Sequence, residues 1–345
     1  MLLKTLPVLQ SDFDNRVCCI VGRGVMGEEL LKKGIVVDYL DLKYIFDLGA
    51  VFRFKKVINE FKPDLLVTYL IHADLFGRIF GRLFGVKKVV CSERGSLLNW
   101  EWLRVIDKWT SFFVDKYIVQ TEVAKNKLSK QLGLPLEKFV VIPNAVDPEE
   151  YKFKLDFARK KFELGLNPTN INIICISNLR IGKGHKFLLK AFEKVYEKNN
   201  NVNLLVVGDG DQKSQLIDQV KDYHSKGNIY FLGQRNDVKE LLRISDMFVL
   251  ATEGEGMSNA ILEAMASGLL VFTTDIPENR ELIKNEETGL LVSVKNVDHL
   301  VSALDKIIGD KQFRNVLGER ARIQTFNKYG IKKTIKKLKL FFSDI

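Results

Sequence analysis

Glu255-Gly256-Met257-Ser258-Asn259-Ala260-Ile261-Leu262-Glu263-Ala264-Met265-Ala266-Ser267-Gly268 is the stretch whose reading decides the fold. The apolar run 247–251 before it reads as a buried strand, and 269–273 after it as another. Between them a turn bracketed by glycines carries Glu255, and the helix that follows carries Glu263. Two carboxylates then lie beyond the carboxyl end of a parallel strand, where α/β sheets keep their ligand crevice. Ser258 and Asn259 are both good N-caps. The first amides of the helix they cap would point into the same crevice, ready for an anion. Carboxylates that hold hydroxyls, beside N–H groups that hold phosphate, suit a sugar nucleotide.

Outward from this stretch the strand–helix rhythm continues. In the second half 171–179, 202–208, 228–233, 247–252, 269–275 and 289–294 read as strands. Helical patterns such as 186–198, 212–225 and 297–308 separate them. Near-continuous apolar strands joined by helical crossovers predict a parallel sheet covered on both faces. The first half repeats the theme at 17–22, 35–42, 64–70, 88–93, 116–120 and 139–143. Two Rossmann-like, doubly wound domains are therefore expected, 1–150 and 151–325, followed by a basic helix over 326–345 that packs back on the first domain. Pro143, Asn144 and Pro148 break the pattern at the junction. The opening is unusual: 1–9 reads as a helix running into the strand at 17, where a doubly wound domain opens on a strand. The expectation is that the opening strand and its loop are absent, through a truncated reading frame or as a genuine departure.

Composition narrows the classes. A chain of 345 residues has room for two cores, and 46% apolar with 28% charged residues suits a globular protein rather than a disordered one. No run approaches the roughly 20 apolar residues of a membrane span, and residues 1–7 lack the apolar core and cleavage site of a signal peptide. Cys18, Cys19, Cys91 and Cys175 all lie in strand-like runs without metal spacing, so buried free thiols in a reducing cytoplasm are expected. The net charge of +10 suits an anionic partner.

Several motifs carry candidate chemistry. Gly22-Arg23-Gly24-Val25-Met26-Gly27 is a formal GxGxxG, but the helix after it is only about two turns, too short for a dinucleotide-binding crossover, and a surface loop is the better reading. In Ser177-Asn178-Leu179-Arg180-Ile181-Gly182-Lys183-Gly184-His185-Lys186, Arg180 and Lys183 sit where a strand's carboxyl end meets a helix N-terminus, the usual position for phosphate. Gly208 and Gly210 end the next strand and allow close backbone approach to a ligand. Arg235 ends the third and could border a nucleobase, although a plain turn explains each as well. His72, Glu93 and Arg94 follow strands of the first half and are candidates for an acceptor-side acid, base or ligand. Lys328, Lys332, Lys333, Lys336, Lys337 and Lys339 make the tail basic, with Ile331, Ile335, Leu338 and Phe342 as an apolar stripe. A second basic–apolar patch spans 78–84 with Lys87 and Lys88. A solvated face accounts for both; the sharper reading is contact with an anionic membrane. No recognised nucleic-acid module is present, which argues against that partner.

Together these residues resemble the retaining glycosyltransferases of family 4, whose GT-B fold sets two Rossmann-like domains facing across a cleft. The likeness runs from Pro143 to about Ile308. Glu255 and Glu263 match the two ends of the family's E-x7-E motif. Val141-Ile142-Pro143-Asn144-Ala145-Val146-Asp147 resembles its inter-domain segment, with Ala145 where glycine is common. Asn178-Leu179-Arg180 with Lys183-Gly184 resembles its phosphate loop, with Asn178 in place of the more frequent arginine. Thr288-Gly289-Leu290-Leu291 resembles its TGLLV strand. The first half matches weakly. The resemblance implies that Glu263 binds ribose hydroxyls, Glu255 contacts the transferred sugar, and Gly256, Met257, Ser258 and Asn259 offer backbone N–H groups to sugar or diphosphate. It assigns Arg180 and Lys183 to the charge on the departing diphosphate. It implies transfer of a hexose or N-acetylhexosamine from a UDP- or GDP-sugar to a glycan or lipid-linked acceptor, with no metal or other cofactor, in the cytoplasm or at the inner face of the cell membrane. A sugar-nucleotide-binding protein with little turnover, or a GT-B-fold epimerase, is the alternative.

Overall fold

Short apolar runs become parallel strands because helices cover both faces of the sheets they form. The computed structural model describes residues 1–43, 47–94 and 101–345, with the backbone alone at 101–104. The chain divides into two compact units, residues 1–145 with 331–345, and residues 146–330. Every strand pairing among the described residues is parallel.

The first unit opens on helix α1 (Leu2–Leu9). It holds β1 (Arg16–Cys19), α2 (Val25–Lys32), β2 (Val36–Tyr39), α3 (Leu48–Phe61), β3 (Leu65–Tyr69), α4 (Ile71–Leu83), β4 (Lys88–Ser92), α5 (Glu101–Thr110), β5 (Lys116–Val119), α6 (Glu122–Leu132) and β6 (Phe139–Val141). These strands form two sheets, β1-β2 and β3-β4-β5-β6. Its apolar side chains form several modest clusters. Leu40, Phe54, Ile58 and Phe76 make one, and Tyr117, Leu128 and Phe139 belong to another.

In the second unit α7 (Phe157–Glu163) precedes β7 (Ile171–Ile176), α8 (His185–Tyr196), β8 (Val202–Val207), α9 (Lys213–Gln219), β9 (Ile229–Gly233), α10 (Val238–Arg243) and β10 (Met247–Leu250). There follow α11 (Asn259–Ala266), β11 (Leu270–Thr274), α12 (Pro277–Leu282), β12 (Leu290–Val292), α13 (Val297–Gly309) and α14 (Lys311–Tyr329). One sheet in the order β12-β11-β10-β7-β8-β9 carries a single large core. Strands β8, β10 and β11 are buried at every residue. Helix α8 shows how the sequence specifies this packing. Its buried Leu188, Leu189, Ala191, Phe192 and Val195 recur at helical spacing, so one face closes on the sheet while lysines face out. Burying Phe192 alone contributes on the order of 2 kcal/mol. Val146 bridges back to Gly330, which closes the unit where the chain enters and leaves it.

The last helix, α15 (Ile331–Asp344), belongs to the first unit. Ile331, Ile335 and Leu338 join Leu9, Val90, Ile118 and Ile142 in one buried cluster. The apolar stripe of the tail therefore faces protein, which corrects its reading as a membrane-facing surface, while Lys332, Lys333, Lys336 and Lys337 remain exposed. The patch at 78–84 needs the same correction. Arg78 is fully buried and donates to Asp107 at 2.7 Å, and Arg82 donates to Asp115 at 2.5 Å. Both charges are spent inside the unit, and only Lys87 and Lys88 remain exposed there. The GxGxxG stretch runs from a largely exposed turn at 22–24 into the first turn of α2, where Gly27 is buried, and that helix has eight residues. All four cysteines are free, with Cys91 and Cys175 buried and Cys18 and Cys19, on β1, half-buried.

Candidate functional site

Strand order locates the crevice of the second unit. The chain runs from β7 outward through β8 and β9, then returns to the other side of β7 for β10. The loops after β7 and β10 thus flank the topological switch point, where open α/β sheets bind ligands.

These two loops are locked together. Gly184 caps α8 with φ +71°, and a Cβ there would lie 1.8 Å from the Ala251 carbonyl oxygen, so only glycine lets the loop after β7 lie against the end of β10. The Glu253 amide donates to the Gly182 carbonyl at 2.7 Å, and the Thr252 hydroxyl to the same oxygen at 3.3 Å. The clamp brings together two side chains 72 residues apart: Lys183 Nζ donates to Glu255 Oε1 at 2.6 Å. An ammonium and a carboxylate, neither fully exposed, thus meet over the switch point. An arriving anion would compete with Glu255 for Lys183.

Helix α11 rises from the same place. Ser258 is its N-cap and its hydroxyl accepts from the Ile261 amide at 3.3 Å, as its residue type leads one to expect. The amides of Asn259 and Ala260 then head the helix, whose dipole favours negative charge. Met257 and Ser258 are buried, Gly256 is half-buried and Asn259 is exposed. Glu263 lies one turn along α11, half-buried. Burial, with the Glu263 carboxylate nearby, raises the Tyr151 phenol well above its usual range. Arg180 is exposed at the tip of the loop after β7 and has no ion-pair partner among the described residues.

Other candidates are engaged differently. A Cβ on Gly208 would meet the Ser177 carbonyl oxygen at 2.0 Å, and one on Gly210 the Leu179 carbonyl oxygen at 2.4 Å. The close approach read at these glycines is therefore to the neighbouring loop, which they let nestle against β8. Arg235 forks onto Asp237 at 2.8 and 2.6 Å, so its guanidinium is held by its own turn. His72 lies exposed in the first turn of α4, in the first unit. Just before it Leu70 adopts φ +72°, a strained conformation for leucine, at the carboxyl end of β3. In the same unit Arg94 donates to Asn144 at 2.6 Å and lies over the Tyr69 ring at 5.4 Å. Glu93 follows β4 beside it, and its carbonyl accepts from Gln120 at 2.5 Å.

One residue escaped the sequence reading. His185, the first residue of α8, is buried and shares a 2.9 Å hydrogen bond with Ser177. Burial, with the Lys183 charge adding to it, pushes its pKa down to about 4, so it is neutral at pH 7. The pair ties the two ends of the phosphate-type loop together. A lone histidine in a basic stretch gave no signal of this. A cavity of about 700 Å³ lies elsewhere in the unit, at the carboxyl end of α11 among Tyr151, Gly268 and Arg322. No group of metal-ligating side chains occurs among the described residues.

A parallel sheet with cations, a carboxylate and two helix N-termini over its switch point has the make-up of an anion-binding α/β protein. Sequence comparison identifies its class. Residues 156–324 match the model of the glycosyl transferases group 1, and residues 10–150 that of glycosyltransferase family 4. The chain belongs to this family. It is 28% identical over 339 residues to the UDP-Gal:alpha-D-GlcNAc-diphosphoundecaprenol alpha-1,3-galactosyltransferase of Escherichia coli, covering 91% of this chain and 87% of that one. It is 28% identical over 307 residues to the N-acetyl-alpha-D-glucosaminyl L-malate synthase of Bacillus anthracis, covering 87% and 80%. Among solved structures, Anabaena HepE in complex with UDP-glucose superposes with a TM-score of 0.89 at 19% identity, over 100% of this chain and 95% of that one. The likeness gives the GT-B fold.

Proposed function

We propose that this glycosyltransferase moves a hexose or N-acetylhexosamine from a UDP-sugar, or less favourably a GDP-sugar, to a lipid-linked or glycan acceptor, with retention and without a metal. The observation that carries the reading is the Lys183–Glu255 pair over the switch point of the second unit. The Escherichia coli relative, named for UDP-Gal and a diphosphoundecaprenol acceptor, supports the donor and acceptor classes.

In this reading the donor diphosphate takes Lys183 and Arg180 and meets the N-terminus of α11. Glu255, released from Lys183, then accepts hydroxyls of the transferred sugar. Glu263 holds the ribose, and the backbone at Gly256, Met257, Ser258 and Asn259 borders sugar and diphosphate. As the C1–O bond breaks, negative charge grows on the departing phosphate oxygen, where Lys183 and Arg180 stabilise it. The acceptor hydroxyl attacks from the face the diphosphate leaves, and its proton passes to the leaving oxygen. No protein nucleophile is needed. His72 serves the acceptor side. No helix among the described residues is long and apolar enough to cross a membrane; the exposed lysines of α15 with Lys87 and Lys88 make a peripheral contact with an anionic surface.

The test is transfer from a panel of UDP- and GDP-sugars to a diphospholipid-linked acceptor, with and without EDTA, the product anomer being read by NMR. An α-linked product from an α-linked donor, unaffected by chelation, is expected. An inverted anomer or an absolute need for metal would overturn the mechanism.

A further inference from the structure

The cavity of about 700 Å³ at the carboxyl end of α11 has no part in the proposed transfer. All its lining residues belong to the second unit. Small-molecule sites occupy roughly 300–1,000 Å³, so it has the size of one. The donor diphosphate is assigned to the amino end of α11. Eight residues of helix, about 12 Å, separate the two ends.

Charge sets the cavity's preference. Lys152, Arg243 at the end of α10 and Arg322 of α14 line it from three directions in the chain, against the one carboxylate of Glu319. The Arg243 guanidinium lies over the Phe153 and Phe157 rings at 5.6 and 5.7 Å and donates to the Tyr151 carbonyl at 3.4 Å. It has no carboxylate partner among the described residues. A guanidinium held flat on aromatic faces keeps its edge N–H groups for an anion. Arg322 forks onto Glu319 at 2.8 and 2.7 Å, but these side chains are 42% and 51% exposed. An exposed pair of this kind adds little stability, so it yields to a phosphate that offers the same fork more charge. Uncharged groups complete the lining. Tyr151 is buried and its hydroxyl has no hydrogen-bond partner, which leaves a donor to be satisfied. Ala266, Ser267 and Gly268 bring the carboxyl end of α11, where a helix leaves carbonyls without intrahelical partners. These are acceptors for hydroxyl groups.

We propose that this cavity is a second ligand site, which takes a phosphate monoester carried on a hydroxyl-rich body the size of a hexose. Arg243 and Arg322 hold the phosphate oxygens, with Lys152 adding charge at the rim. The carbonyls at the end of α11 accept hydroxyls of the carrier, and the Tyr151 and Phe326 rings, 6.2 Å apart, border its apolar face. A bare anion meets only the cations, and a neutral sugar only the acceptors, so both halves of the ligand are needed. A free sugar phosphate and a phosphorylated inositol lipid headgroup share this chemistry.

Calorimetric titration of mannose 6-phosphate, inorganic phosphate and mannose tests the site, with vesicles carrying a phosphorylated inositol lipid as a parallel arm. Mannose 6-phosphate should bind the unaltered chain at least about tenfold more tightly than either half alone, as one or more added hydrogen bonds to charged groups imply. The Lys152→Ser, Arg322→Ser double variant should weaken it about tenfold or more, without loss of the core, because both side chains lie at the surface. Arg243→Lys, which keeps the charge and loses the fork, should weaken it too. Glu319→Gln should tighten it by removing the competing carboxylate. The Arg180→Ala, Lys183→Ala double variant should bind it as the unaltered chain does, which separates this site from the donor site whatever the donor proves to be. Binding of the vesicles alone, lost in the same variants, assigns the site to a lipid headgroup. No binding of either probe, equal affinity for phosphate and mannose 6-phosphate, or a loss confined to the Arg180 and Lys183 double variant would overturn the proposal.

Discussion

The two units are written in the same alternation of strand and helix, yet only the second closes into one sheet. Its central strands β7 and β10 pair with each other and with neighbours on their outer sides, and their loops are clamped by the Gly182–Glu253 hydrogen bond and the Gly184–Ala251 contact. In the first unit β1 and β3 flank a cavity instead. A strand pattern tells that a segment will be extended; it does not tell whether both its edges will be paired. The consequence is functional. A switch point whose neighbouring strands are bonded can hold Lys183 against Glu255, whereas the rim of the first unit offers a strained Leu70 and an exposed His72.

The largest effect that separates the units should come from Lys183. Lys183→Ala should lower kcat about 100-fold or more, the loss typical of one donor to developing charge, while a His72→Ala change in the first unit should act on the acceptor KM. Steady-state kinetics with both substrates varied checks this. Equal losses from the two variants would erase the functional division between the units.

Glycine substitutions should differ next. Gly184→Ala meets both a left-handed φ and the Ala251 carbonyl, and should cost about 2–4 kcal/mol. Gly24→Ala in the first unit meets nothing within 4 Å and should stay within about 0.5 kcal/mol. Urea unfolding of both variants measures the contrast.

The units should also answer pH in opposite directions. His185 is pushed down to about 4, mainly by burial, from an ordinary value of 6.5. Between these values the unfolded chain binds the proton and the folded one does not, so the second unit gains stability as pH rises from 4 to 6.5, on the order of 3 kcal/mol. Asp74 is pushed up to about 8, again mainly by burial, with Glu93 and Asp107 adding while Thr68 and Arg78 oppose. There the folded state holds the proton, so the first unit loses stability as pH rises from about 4 to 8. All three tryptophans of the sequence fall before residue 145, and Trp109 lies on α5 of the first unit, so fluorescence follows that unit and circular dichroism follows both. Asp74→Asn should flatten the fluorescence-detected slope, and His185→Asn the remaining one. Parallel slopes in both units would break the comparison.

The smallest effect is expected at the surface. Each lysine of α15 near an anionic vesicle should contribute about 1 kcal/mol, screened by salt. Replacing Lys332, Lys333, Lys336 and Lys337 by serine should reduce co-sedimentation at low ionic strength, and an Arg78→Ser change should not act through the surface, since Arg78 is buried. Binding unchanged in the lysine variant would leave these residues as a solvated face.

All twelve strands among the described residues were legible, because strand burial leaves a local mark of short apolar runs between helical patterns. The Ser258 cap and the loop basicity at Arg180 and Lys183 were legible for the same reason: each depends on residues close in sequence. What was not legible depends on pairs far apart. The Lys183–Glu255 contact spans 72 residues, and nothing in either segment states its partner. Arg78 looked like surface charge until Asp107, 29 residues on, came to meet it inside the fold. Gly208 and Gly210 were read as room for a ligand or as a plain turn, and neither reading named the backbone of Ser177 and Leu179 that lies against them. His185 was missed because its role lies in burial and in Ser177, neither of which its neighbours announce.

The central claim, that the switch point of the second unit holds the diphosphate of a sugar nucleotide, is tested most directly by calorimetric titration of UDP, UMP and uridine. Each is titrated against the unaltered chain and against the Arg180→Ala, Lys183→Ala double variant. Loss of charge-assisted hydrogen bonds of about 1.5–3 kcal/mol each should weaken UDP at least about tenfold. UMP should change less, and uridine should bind both proteins alike. UDP affinity that survives the double substitution, or a loss equal for uridine and UDP, would contradict the account.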